Sequence, residues 1–219
     1  MASRTKLTDS ATLEHYRIAL DNAEKQPVIM AALTDLGYDS TVIGEGKLLW
    51  AATRQAFDAN KIEDDETSEA YASFSTLKSN LEDIFNTHRK KAKVIFRNDM
   101  VTAQKLAILG SMPQAYIKWL EVLKKFYSLA SSDTIIQAKL ARLKVTIEEI
   151  SAANTLITDL EAARSLYLRE KGESQDATKA KDAAFYKIDD WMSEFFAVAK
   201  IGLEDNPQLL EALGKIVRN

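Results

Sequence analysis

The chain has 219 residues but only 7 Gly and 3 Pro, with 46% apolar residues and a formal net charge of −3. A many-stranded fold needs a turn signal about every 8–12 residues, so this scarcity excludes one; the Leu, Ala, Glu, Lys, Gln and Arg that fill the chain are strong helix formers. Cys is absent, which removes disulfides, thiolate metal sites and cysteine nucleophiles together and agrees with a reducing compartment. Residues 1–9 hold no apolar export core, and no window approaches the roughly 18 apolar residues of a membrane span, so a cytoplasmic location is expected. The expected fold class is all-α: an elongated up-and-down bundle of two long helices and several short ones, packed as in a coiled coil, forming one domain over residues 1–219.

Thr8, Asp9 and Ser10 offer N-cap oxygens to a first amphipathic helix carrying Leu13, Tyr16, Ile18 and Leu20, which should run to Pro27. Pro27 suits the first turn of a short second helix, and Gly37 its left-handed C-terminal cap. Asp39-Ser40-Thr41 caps a third helix of about 55 residues, with the acidic run Glu63-Asp64-Asp65-Glu66 as the place for an interruption. Gly44 and Gly46 lie near its start, without the strand and spacing of a phosphate loop, and should let it bend or approach a neighbour closely. Its core stripe reads Ala70, Phe74, Leu77, Leu81, Ile84, His88, Ala92 and Ile95. A short helix over residues 100–109 ends at Gly110, and Pro113 opens another holding Tyr116, Trp119, Leu120, Leu123 and Tyr127. Ser131-Ser132-Asp133 caps the next start. Its stripe, Ile136, Leu140, Leu143, Ile147 and Ile150, resumes after a break at Gly172 with Ala177, Ala184, Ile188, Trp191 and Phe195. Asn206-Pro207 begins a last short helix ended by Gly214. If these stripes are buried, Leu81→Ala or Ile147→Ala costs about 2–5 kcal/mol.

The halves of the chain resemble each other. Residues 92–98 align on 199–205, which puts Leu106 on Leu213, Glu66 on Glu173 and Ala70 on Ala177, an offset of 107; upstream, Asp39 falls on Asp133 and Ala59-Asn60 on Ala153-Asn154 at an offset of 94. The expectation is an internal duplication, pseudo-repeats 10–110 and 111–219, with an insertion of 13 residues near Gly172 and a pseudo-twofold relating two long helices.

Catalytic signatures are missing. Thr12 and Phe85 stand three residues before the two histidines, His15 and His88, so the Glu-x-x-His pairs of di-metal bundles are absent, and no His-x-x-x-His, dinucleotide, P-loop or nucleophile-elbow motif occurs. The adjacent carboxylates Glu148/Glu149 and Asp189/Asp190 point to different helix faces. No catalytic residue, cofactor or metal is assigned, and the chain is not read as an enzyme. His88 stands where the other half has Phe195; a half-buried histidine hydrogen-bonded across a helix interface is expected, with a pH-sensitive or catalytic role as the alternative.

Charge is unevenly spread. From Arg89 to Lys144 there are 12 Lys+Arg against 3 Asp+Glu. Arg89, Lys90, Lys91, Lys93 and Arg97 form the densest cluster and are the candidate polyanion-binding residues. A pI near 5.6 argues against nucleic acid as the partner, and pairing of basic with acidic helices, within the bundle or between copies, is the expected use. Trp119, Trp191 and Phe195 are the candidate interface residues, because aromatic side chains are enriched at interfaces.

Residues 191–201, opening Trp191-Met192-Ser193-Glu194-Phe195-Phe196, and residues 203–214, opening Leu203-Glu204-Asp205-Asn206-Pro207, resemble the ending of uncharacterised bacterial all-helical proteins. That resemblance implies a bacterial source and no activity. The resulting expectation is a structural or protein-interaction bundle, homodimeric, whose protein partner is unknown. Alternatives are a nucleic-acid or polyanion binder acting through residues 89–144, and a protein that opens amphipathic helices onto an apolar ligand or a membrane surface.

Overall fold

The computed structural model describes residues 7–214. Among the described residues there are eight α-helices and no strand: α1 (Asp9–Lys25), α2 (Pro27–Thr34), α3 (Ser40–Ile95), α4 (Met100–Lys105), α5 (Tyr116–Ser132), α6 (Thr134–Ala141), α7 (Ile147–Gly202) and α8 (Leu209–Ala212). The long helices α3 and α7 pack antiparallel. Local chemistry sets the helix starts. The Thr8 hydroxyl accepts from the Ala11 N–H at 3.3 Å, Pro27 opens α2, the Asp39 carboxylate accepts from the N–H groups of Thr41 and Val42 at 2.9 and 3.1 Å, and Asp133 does the same for Ile135 and Ile136. Each side chain satisfies backbone donors that a helix leaves unpaired in its first turn.

The bounds of α1, α2 and α3 recur 107 residues later as those of α5, α6 and α7: Asp9 and Lys25 fall on Tyr116 and Ser132, Pro27 and Thr34 on Thr134 and Ala141, Ser40 and Ile95 on Ile147 and Gly202. Both long helices therefore have 56 residues, and the 13-residue insertion does not exist. Gly172 lies inside a continuous α7 rather than at a break, and the acidic run does not interrupt α3. The offset of 94 equated Asp39 with Asp133, but the first caps a long helix and the second caps the short α6.

The separation of α6 from α7 is the main departure from the expected stripe. Lys144 adopts a left-handed conformation (φ 56°) where the other copy has Gly37 (φ 86°). The Val145 N–H donates to the Leu140 carbonyl at 3.2 Å, as the Tyr38 N–H does to Leu33 at 2.9 Å, the Schellman closure of a helix end. Thr146 and Glu149 then form a reciprocal capping box: the Thr146 N–H donates to the Glu149 carboxylate at 3.2 Å, and the Glu149 N–H donates to the Thr146 hydroxyl at 3.3 Å. Leu143 and Ile147 flank this turn and are 39% and 47% exposed, so they are not core residues. By the same device α4 stops at Lys105 instead of residue 109, because Ala107 (φ 53°) turns left-handed where the other copy has Gly214 (φ 77°).

The chain divides into two compact units, each drawing on both halves of the sequence. The first comprises the described residues up to Asp64 and from Glu173 onward: α1, α2, the first part of α3, the last part of α7, and α8. Its core joins Leu20, Ile29, Leu33, Ile43, Ile188, Phe195 and Leu203. Gly46 lets the Trp191 ring lie directly on α3, since a Cβ there would stand 2.4 Å from the indole. The second unit, Asp65–Gly172, comprises the last part of α3, α4, α5, α6 and the first part of α7. Leu81, Phe85, Phe96, Leu123, Phe126, Tyr127, Leu140 and Ile150 are buried at its centre, each contributing roughly 1.5–3 kcal/mol through loss of apolar surface to water. Phe85 and Phe96 take the places expected for Ile84 and Ile95, which are only half-buried.

Candidate functional site

The basic cluster at the end of α3 separates into two roles. The Arg89 guanidinium donates to the Gly110 carbonyl at 2.6 Å and reaches the Leu109 carbonyl at 3.4 Å; its burial pulls the side chain below the usual arginine pKa. Lys91 Nζ donates to the Lys144 carbonyl at 3.2 Å. These two cations thus satisfy carbonyls in the loop after α4 and in the left-handed turn before α7, and they hold the second unit together. Lys90, Lys93 and Arg97 remain exposed, spaced so that they share one side of the helix end.

Arg97 lines a cleft of about 380 Å3 together with Val94, Ile95, Asn98, Arg142 and Leu143. Val94 is 60% exposed, so an aliphatic pair, Val94 and Leu143, lies open beside two guanidinium groups. The equivalent positions in the first unit are Ile201, 64% exposed, and Leu36, 43% exposed. Leu36 approaches α7 over Gly202, where a Cβ would stand 3.2 Å from a Leu36 methyl. Val28 on α2 and its counterpart Ile135 on α6 are likewise exposed. Both units therefore leave aliphatic side chains in water at the same three places.

His88 is buried and its Nδ1 lies 3.0 Å from the Tyr127 hydroxyl, linking α3 to α5 as expected, though more deeply than half-buried. Nε2 faces Glu149 Oε2 at 3.6 Å, beyond hydrogen-bond range. Burial lowers the His88 pKa below its ordinary 6.5; the Glu149 carboxylate opposes that shift and Lys91 adds to it. The Tyr127 hydroxyl is pushed up, chiefly by burial. A cleft of about 440 Å3 opens beside His88, with Asp83, Thr87, Lys91 and Glu149 on its walls. Tyr127 itself is fully buried, and the pair joins α3 to α5.

The three aromatic interface candidates belong to cores. Trp119 and Phe195 are buried, and Trp191 is half-buried, stacked on Phe195 with ring centroids 5.5 Å apart and tilted against Tyr38 at 5.9 Å. The helical spacing that carries them is the spacing that faces the neighbouring helix, so Trp119 and Phe195 are covered by the chain itself and Trp191 in part. In the first unit a cleft of about 480 Å3 contains Tyr16, Asp9 and Asp189, but the Tyr16 hydroxyl donates to Asp189 at 2.9 Å and Lys181 pairs with Asp9 at 3.1 Å.

Sequence reasoning missed Arg142, the Tyr127 partner of His88 and the Thr146–Glu149 box. Only the last had a local signal, Thr followed three residues later by Glu. No helix among the described residues is long and apolar enough to cross a membrane. No protein-family model, curated protein or solved structure matches this chain.

Proposed function

We propose that the protein is a helical interaction module that docks protein partners on the aliphatic patches of its two units. The supporting observation is the recurrence of exposed aliphatic side chains at positions 107 residues apart: Val28 with Ile135, Leu36 with Leu143, and Ile201 with Val94. Exposed apolar residues scattered singly need no explanation. These six occupy matching places on matching backbone, while their charged neighbours differ between the two units.

The test is a set of patch variants, Val94→Ser with Leu143→Ser and Leu36→Ser with Ile201→Ser. Because these side chains are exposed, thermal stability should stay within about 0.5 kcal/mol of the unmodified chain. Proteins cross-linked to the chain in its source cells should be lost from one or both variants. A captured set identical for all three chains, or a melting loss of core magnitude, overturns the reading.

A further inference from the structure

The two aliphatic patches carry opposite charge. In the second unit Val94 and Leu143 share their cleft with Arg97, Asn98 and Arg142. At the positions 107 residues away, Ile201 and Leu36 have Glu204, Asp205 and Asp35 as counterparts, all exposed. Two cations face solvent in one patch and three carboxylates in the other; Lys93 and Lys200 are a charge the two have in common. The backbones beneath have the same helix bounds and left-handed turns at the same places, so one surface is presented twice with its sign inverted.

We propose that each patch binds a second copy of this chain, the basic patch of one copy on the acidic patch of the next. This rests on the interaction reading above and names its partner. Joining a patch to itself across a twofold axis sets Arg97 and Arg142 against the same pair, or Asp35, Glu204 and Asp205 against theirs, and like charges facing each other across an interface cost several-fold or more in affinity. The heterologous pairing brings aliphatic centre onto aliphatic centre and closes each cation against a carboxylate. A basic-on-acidic contact either closes reciprocally between two copies or leaves one patch of each copy for a further one, in which case association continues until a ring closes.

The experiment measures weight-average mass of the full chain by light scattering over a range of micromolar concentrations, at about 50 mM and about 500 mM salt. Mass should reach at least that of two copies at low salt and fall back at high salt. Arg97→Glu with Arg142→Glu makes both patches acidic; Asp35→Arg with Glu204→Arg makes both basic. Each variant alone should self-associate about tenfold more weakly or worse, and an equimolar mixture should recover association. Melting curves show whether each variant is folded, and Arg97→Gln with Arg142→Gln replaces a reversal that is not. The proposal is overturned by an unmodified chain that stays at single-copy mass, by a dimer indifferent to both reversals, or by a mixture that recovers nothing. If the chain stays single while the serine variants above still lose a cross-linked protein, the interaction reading stands and self-assembly falls. A single-copy chain whose RNA gel shift disappears with Arg97 and Arg142 assigns the basic patch to a polyanion, which also overturns it.

Discussion

The first and second units follow one backbone plan with different side chains. In the second unit α3 contributes His88, hydrogen-bonded to Tyr127 of α5 at 3.0 Å; in the first, α7 contributes Phe195 and α1 contributes Leu20 at the matching positions, both fully buried and apolar. The left-handed turns are treated just as unequally. Gly37 and Gly214 occupy two of them, Lys144 and Ala107 the others, although a residue with a Cβ pays steric strain there of roughly 1–2 kcal/mol. The bounds of α1, α2 and α3 nevertheless coincide to the residue with those of α5, α6 and α7. The lesson is that buried apolar contacts accompany this backbone in both units, while the helix caps, the polar contents of the core and the residue at the turn vary.

The deepest shared feature is the aliphatic centre of each unit, so the largest loss should come there. Leu81→Ala in the second unit and its counterpart Ile188→Ala in the first should each destabilise by about 2–5 kcal/mol in chemical denaturation, because both side chains are fully buried and leave a cavity. A large loss from one and none from the other would break the equivalence of the two cores.

Next comes the polar pair. His88→Phe copies the first unit but strands the Tyr127 hydroxyl in the core, which should cost about 1–3 kcal/mol. Adding Tyr127→Leu, and so completing the copy, should recover most of that loss; a double variant worse than the single one would show that the surroundings of His88 are built for a polar group. The same variants sharpen the pH dependence. His88 titrates below its ordinary 6.5 in the folded chain, so the unfolded state takes up its proton first as the pH falls. The His88 contribution is intact above about pH 6.5 and declines below it. Relative to the double variant, the unmodified chain should therefore lose stability progressively on acidification through pH 6, and a constant difference would count against a buried neutral imidazole.

Smaller still is the turn. Lys144→Gly replaces strained backbone with the residue its counterpart Gly37 already uses and should stabilise by about 0.5–1 kcal/mol, provided the side chain makes no compensating contact; a lower melting temperature would show that it does. The least effect is expected at Ile147, 47% exposed beside that turn, where alanine should change stability by no more than about 0.5 kcal/mol. A loss like that of Leu81 would return Ile147 to the core stripe.

Most of the fold is readable along the chain. Thr8, Asp39 and Asp133 cap helices, Pro27 opens one and Gly37 closes one, because each acts on backbone groups within a few residues of itself. The patches are less readable. Val94, Leu143 and Ile201 look like any other apolar residues of a helical stripe, and the inverted charge around them is invisible until the offset is 107 throughout. That offset was obscured by Lys144, whose identity gives no sign of a left-handed turn.

Local chemistry thus settles the class of structure, most helix ends and the apolar side of each helix to within one residue. The remaining choice belongs to packing. Steps of three and four alternate on a helix of 3.6 residues per turn, so Ile84 and Phe85, or Ile95 and Phe96, fit the stripe equally well; α5 sets Phe126 and Tyr127 against Phe85 at 5.4 and 6.0 Å, and Lys139 of α6 lies over Phe96 at 5.5 Å. A long-range contact likewise closes on the left-handed turn at Lys144, whose carbonyl accepts from Lys91 Nζ at 3.2 Å, and Leu143 beside it stands in water. A residue's burial depends on what another helix places beside it, and that helix lies tens of residues away in the chain.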